Sequence, residues 1–151
     1  MKTNYKKLGD YIQTVNVRNN DTLLTRITPC FENGKIAFIN ELKNDEVAFG
    51  STEFIVMRAT EHSNPYFVYC FAKNKLFRDY ALLSMTGSDG RQRVQASYLK
   101  QFRIIDIEGL SIFKEFEQQV KSVFNLIKNN AEQNKQLAEL KGLLLAKMGS
   151  E

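Results

Sequence analysis

The chain has 151 residues, a formal charge of +4 and a sequence pI near 9.0. That length bounds it to one domain, or to one small domain with an extension. No apolar run approaches the ~18 residues that span a bilayer, and the basic start Met1-Lys2-Thr3-Asn4-Tyr5-Lys6-Lys7 lacks the apolar stretch of a secretory signal.

Residues 5–12 enter the fold as a short helical turn or a strand. Residues 15–21, with Asn16, Asn19 and Asn20, read as a polar connection. Thr22-Leu23-Leu24-Thr25-Arg26-Ile27 reads as a strand that ends at Thr28-Pro29, because proline cannot continue a ladder. Asn33-Gly34 is a hairpin signal, since both residues tolerate positive φ, and residues 35–40 return as a strand. Asn44-Asp45-Glu46 is a solvated turn. Glu53-Phe54-Ile55-Val56-Met57-Arg58 is the most strand-like segment in the chain. Ser63-Asn64-Pro65 predicts a helix start, with Asn64 as N-cap and Pro65 at the first helical position. Helix is expected over 66–73 and 75–85 with a break near Asn74. Phe67, Cys70 and Phe71, then Phe77, Tyr80, Ala81 and Leu82, form its apolar stripes. Residues 86–93 are a loop: two glycines free the backbone and two arginines flank a glutamine. A last strand is expected over 99–107, with Glu108-Gly109 as a hinge.

From Ser111 to the end, Phe113, Phe116, Val120, Val123, Ile127, Asn130, Asn134, Leu137, Lys141 and Leu144 recur at spacings of three and four. This is the a/d seam of one long helix. At ~1.5 Å per residue it extends roughly 55 Å, more than a small domain can cover, so the seam calls for a partner. Asn in a seam weakens pairing but excludes misaligned registers. The fold class that follows is α+β: a small β-rich domain with short helices over residues 1–109, then one coiled-coil-forming helix over 110–151.

Candidate chemistry is sparse. Cys30 and Cys70 have no metal-ligand spacing and His62 cannot complete a zinc site with them. Both thiols read as buried and reduced, which fits a cytoplasmic protein. Asn64-Pro65-Tyr66-Phe67 is similar to the Asn-Pro-Pro-aromatic tetrapeptide of amino-group DNA methyltransferases. It lacks the second proline and any Gly-rich loop for a methyl donor, and helix capping explains it. Asp106-x-Glu108 lacks the following lysine of a nuclease metal site. His62 has no evident acid partner. There is no P-loop and no nucleophile elbow, so no enzyme is expected. Binding residues are better represented. Arg reads guanine and Gln reads adenine in bidentate fashion, while Ser, Thr and glycine-rich turns suit phosphate oxygens. The 86–93 loop holds all of these, and Thr25-Arg26-x-Thr28 and Gly50-Ser51-Thr52 add more. The competing structural reading pairs Arg91 and Arg93 with carboxylates on neighbouring strands.

Three segments taken together carry a resemblance. They are Thr25-Arg26-Ile27-Thr28-Pro29-Cys30-Phe31-Glu32-Asn33-Gly34-Lys35, then Phe49-Gly50-Ser51-Thr52-Glu53-Phe54, then Met85-Thr86-Gly87-Ser88-x-Gly90-Arg91-Gln92-Arg93-Val94. In this order and spacing they resemble the target-recognition domain of the specificity (S) subunit of type I restriction-modification systems. The tail Glu132-Gln133-Asn134-Lys135-Gln136-Leu137-Ala138-Glu139-Leu140-Lys141 is similar to the end of that family's spacer helix.

The resemblance implies a non-catalytic subunit that recognises double-stranded DNA. It would place that DNA before methyltransferase (M) subunits and a nuclease-translocase (R) subunit. S-adenosylmethionine, ATP and Mg²⁺ would serve those partners, and this chain would bind no cofactor. The DNA-contacting set it implies is Thr25, Arg26, Thr28, Asn33, Lys35, Ser51, Thr52, Thr86, Ser88, Arg91, Gln92 and Arg93. A full S subunit pairs two recognition domains through two antiparallel helices; this chain has one of each. Two expectations follow: a half-size S protein that pairs through its helix with a second copy or another S subunit, or a truncated remnant that only assembles with S or M subunits.

Overall fold

The computed structural model describes residues 5–7, 12–13, 16–43, 45–105 and 111–149. Strand β3, Thr22–Thr25, is the inner strand on which the larger sheet is built. It pairs antiparallel with β4, Ile36–Phe38, on one edge and with β5, Phe54–Ala59, on the other, so that Leu24 faces Ile36 and Ile55. The short strand β2, Ile12–Gln13, adds outside β5, giving the order β2-β5-β3-β4. Strand β1, Tyr5–Lys7, pairs antiparallel with β6, Arg103–Ile105, as a separate two-stranded ribbon. The Asn33-Gly34 signal is realised at the return into β4, with Gly34 at φ +67°.

Period-two alternation aims Leu24, Ile55 and Met57 at one face of the sheet, where they are buried. Helix α1, Pro65–Lys73, covers that face with Val68 and Ala72, one turn apart on its inner side. Asn64 caps it as expected: its Oδ1 accepts from the Phe67 N–H at 2.8 Å, and Pro65 opens the first turn. The predicted break at Asn74 is also present, and Asn74 serves both helices. Its N–H donates to the Phe71 carbonyl, ending α1, while its Oδ1 accepts from Leu76 and Phe77 at the start of α2, Lys75–Leu82. Aromatic rings fill the space behind. Phe71, Phe77, Tyr80 and Phe102 pack with centroids 4.9–5.6 Å apart, mostly edge to face, and Tyr80 stacks on Tyr98 at 4.5 Å.

Three expectations are corrected. The strand foreseen from residue 99 starts at Arg103; before it lies a helical turn, α3, Ala96–Leu99, which buries Leu99 beside Val94. Asp106, Glu108 and Gly109 lie outside the described residues. Cys70 is exposed, because Val68 and Ala72 set the inner face of α1 and residue 70 falls on the other side. Finally, the connection at 16–21 is not wholly polar. Val17 is buried and exchanges backbone hydrogen bonds with Ala48. The buried Asp21 carboxylate accepts from the Arg58 guanidinium (2.7 Å, twice) and from the Arg18 N–H (2.7 Å).

Helix α4, Ile112–Met148, runs for 37 residues and none of them is buried. The chain divides into two compact units, Met1–Glu117 and Gln118–Glu151. The first turn of α4 belongs to the first unit. There Phe113 packs edge to face on Phe67 at 4.9 Å, and its carbonyl accepts from Asn64 Nδ2 at 2.8 Å. In the second unit, Val123, Ile127, Leu137 and Leu144 are exposed along the helix.

Candidate nucleic-acid interface

Beyond Thr25 the chain leaves the sheet ladder but keeps pairing. The Arg26 N–H donates to the Glu53 carbonyl at 2.9 Å. The Val94 N–H donates to the Arg26 carbonyl (2.9 Å) and the Thr28 N–H to the Gln92 carbonyl (3.0 Å), an antiparallel bridge centred on Ile27 and Arg93. The Gln92 N–H donates in turn to the Thr28 hydroxyl at 3.1 Å. Residues 25–28, 51–53 and 86–93, far apart in sequence, are thus stitched together at one place.

The 86–93 loop is closed at its base, where Thr86 and Arg93 exchange backbone hydrogen bonds of 3.1 and 2.8 Å. The Gln95 amide reinforces that base, donating to the Thr86 hydroxyl at 2.7 Å and to the Arg93 carbonyl at 3.0 Å. Inside it, the Arg91 N–H donates to the Ser88 carbonyl at 3.0 Å. Gly87 sits at φ +131°, where a Cβ would come within 2.8 Å of the Arg91 carbonyl oxygen, so only glycine allows this turn.

Charge is arranged unevenly around the stitched segments. Arg93 grips Glu53 through Nε and Nη2 at 2.7–3.0 Å, a bidentate ion pair. The Arg93 hydrogen bond is the main reason the Glu53 carboxyl lies below its ordinary value of 4.5. Partial burial opposes this, while the charge of Arg93, and less so that of Arg26, adds to it. The same pair raises the pKa of Arg93. With Glu53 occupied by Arg93, Arg26 and Arg91 make no ion pair among the described residues, and Arg26 Nε is buried without a hydrogen-bond partner.

The candidate residues divide by exposure. Ser51, Thr52, Thr86, Ser88 and Arg91 are exposed, and Arg26, Gln92 and Arg93 are half-buried. Thr25 and Thr28 are buried: the Thr25 hydroxyl donates to the Lys35 carbonyl at 2.8 Å, and the Thr28 hydroxyl is spent on Gln92. Asn33 and Lys35 are exposed on the β4 side of β3, across the strand from Glu53. Of the helix-pairing set, Phe113, Phe116 and Val120 are half-buried, and Val123, Ile127, Asn130, Asn134, Leu137 and Leu144 are exposed. The competing reading, in which Arg91 and Arg93 pair with carboxylates on neighbouring strands, holds among the described residues for Arg93 and not for Arg91; sequence reasoning did not name Glu53 as that carboxylate and missed Gln95 at the loop base. Glu53 lies 40 positions from Arg93, and no local pattern signals that pair. His62, left without a partner by the sequence, lies 3.5 Å from the exposed Glu61 carboxylate. No helix among the described residues is long and apolar enough to cross a membrane, and no cluster of three or more metal-ligating side chains occurs among them.

No family model matches the chain. Two curated relatives do. The type I restriction enzyme EcoAI specificity subunit of Escherichia coli is 38% identical over 77 residues, 50% of this chain and 13% of the relative. The EcoEI specificity subunit of the same organism is 34% identical over 85 residues, 56% of this chain and 14% of the relative. A chain from a solved structure, "Structural basis underlying complex assembly and conformational transition of the type I R-M system", is 19% identical with a TM-score of 0.49, over 83% of this chain and 32% of that one. Both curated relatives are specificity subunits. This chain is similar to them over about half its own length and spans 13–14% of theirs.

Proposed function

We propose that the unit Met1–Glu117 recognises duplex DNA as part of a type I restriction-modification assembly, without catalysing a reaction itself. One observation carries this reading: three segments converge on a hydrogen-bonded loop base in which the Glu53 carboxylate is consumed by Arg93, leaving Asp89, exposed in the loop itself, as the loop's own acidic residue. Arg26 and Arg91 keep their charge for a polyanion, and Ser51, Thr52, Thr86 and Ser88 present hydroxyls beside them. Guanidinium groups and hydroxyls so placed suit phosphate oxygens and base edges. Thr25, Thr28 and Arg93 build the surface, and the exposed residues meet the DNA. Lys35 and Asn33 add a flanking contact. Similarity to EcoAI and EcoEI specificity subunits supports the same assignment.

In this reading, M and R subunits supply methylation and cleavage and hold the S-adenosylmethionine, ATP and Mg²⁺ they use. Helix α4 pairs with a second copy, or with the helix of another specificity subunit. The exposed stripe of Val123, Ile127, Leu137 and Leu144 supports this, since apolar side chains left at 53–63% exposure find their stabilisation only in a partner. Assembly would be cytoplasmic, where the DNA is.

The test is titration of a labelled mixed-sequence duplex with the full chain at two salt concentrations. Arg91→Ala and Arg26→Ala should each weaken binding several-fold and more so at low salt. Unchanged affinity in both would remove this surface from the proposal. A chain that co-purifies with an M subunit yet binds no duplex, alone or in that complex, would instead be an assembly element.

A further inference from the structure

We propose that Phe49 stacks on a nucleobase of the bound duplex, entering a base step that the protein opens. The proposal rests on the reading of this surface as a duplex-DNA interface. Of the eleven phenylalanines, ten are buried or half-buried, and Phe49 is 84% exposed. Its ring makes no aromatic contact among the described residues, although aromatic pairing is the rule elsewhere in this unit. A phenyl ring left in water forgoes much of the burial energy that its neighbours collect, so its position calls for an explanation.

The backbone holds it there. On one side, Ala48 exchanges hydrogen bonds with Val17 at 2.9 and 3.1 Å. On the other, the Ser51 carbonyl accepts from the Phe54 N–H at 3.1 Å and the Ser51 hydroxyl accepts from the Glu53 N–H at 3.2 Å. Gly50 lies against Phe54 and Val17, close enough that a Cβ there would just touch both. Phe49 therefore projects from a short span pinned at both ends, flanked by the small residues Ala48 and Gly50.

Its surroundings decide what it meets. Ser51 and Thr52 follow at once, and Glu53 beyond them is bonded to both Arg93 and the Arg26 backbone. A protein partner would need a contiguous apolar patch, whereas here a single exposed ring is followed in the chain by two exposed hydroxyl residues and by Glu53, which ties this span to Arg26 and Arg93. That combination suits nucleic acid: polar groups take the phosphates while a flat apolar side chain takes the face of a base. In duplex DNA such a side chain acts as a wedge at a partly unstacked step. The other strongly exposed apolar residues of this unit, Leu76 and Leu83, are aliphatic and lie on or next to α2, away from these segments in sequence.

The chain has no tryptophan, so Phe49→Trp gives a fluorophore that reports on this position alone. Titration of the full-length variant with mixed-sequence duplex should quench that fluorescence as DNA binds. Phe49→Ala should weaken binding by about fivefold or more while leaving the dependence of affinity on salt unchanged; Phe49→Leu should recover only part of the loss. Thermal unfolding of all three should match the parent, since the ring packs against little. If the parent binds duplex but Phe49→Ala binds as well and the tryptophan is not quenched, the inference fails and the reading of the interface stands. If Phe49→Leu restores affinity in full, the contact is apolar rather than stacked, and the inference also fails. If the parent binds no duplex, both fall.

Discussion

Glu53 is the carboxylate of the candidate interface that an arginine holds, whereas Asp89 is exposed in the loop itself. A free carboxylate at Glu53 would repel phosphate; held by Arg93 at 2.7–3.0 Å, Glu53 becomes a fastener for the 86–93 loop. Its pKa is lowered in the folded chain, first by the Arg93 hydrogen bond. A lowered carboxylate contributes stability that is present above its ordinary value of 4.5 and lost as the pH falls through the lower folded value. Urea unfolding of the parent and of Glu53→Gln should therefore differ by a constant amount from neutral pH down to about 4.5. The difference should shrink at more acid pH and vanish once Glu53 is protonated in the folded state. A difference that persists unchanged into strong acid would show that the pair does not hold the loop. The same pair marks the limit of what a sequence shows. Arg91, Gln92 and Arg93 stand out as binding residues by type, but which of them is engaged depends on a residue 40 positions away, and only the fold brings that residue near.

At the scale of elements, the readable features are the local ones. Asn64-Pro65 and Asn74 announce helix ends because a capping side chain bonds to backbone within three residues of itself. The return into β4 is announced by Asn33-Gly34 for another local reason, the positive φ that Gly34 adopts there. Segment 99–107 was harder, because Leu99 and Ile104 are both buried and a short apolar run fits a helical turn as well as a strand. Burial of Asp21 was equally hidden, since its partner Arg58 comes from β5. Asn64 also does something no capping rule foresees: its amide donates to the Phe113 carbonyl, tying the start of α1 to the start of α4. Asn64→Ala should lower the stability of the first unit by about 2 kcal/mol, read as a drop in thermal midpoint. Asn64→Asp keeps the cap acceptor but not the donor to Phe113, and should fall in between. Equal stability of parent and Asn64→Ala would show that neither bond matters.

For the whole molecule, a folded unit that ends at Glu117 is followed by a helical unit without a buried residue. Of the seam read from the sequence, the N-terminal end behaves differently from the rest. Phe113 packs into the first unit, whereas Val123, Ile127, Leu137 and Leu144 stay exposed. Heptad spacing reveals the stripe but cannot tell which of its residues an adjoining domain will cover. Sedimentation equilibrium should show a concentration-dependent dimer that Leu137→Lys with Leu144→Lys abolishes; a parent monomeric at high concentration would exclude self-pairing and leave another specificity subunit as the partner. The central claim is that Arg26 and Arg91, released by the Arg93–Glu53 pair, meet phosphate or base. The most direct test is the slope of log affinity against log salt for duplex DNA. The account predicts that the Arg26→Ala, Arg91→Ala double variant loses affinity and that its slope falls by about 1.8, near 0.9 for each phosphate contact removed. A double variant with the parent's slope and affinity would contradict it.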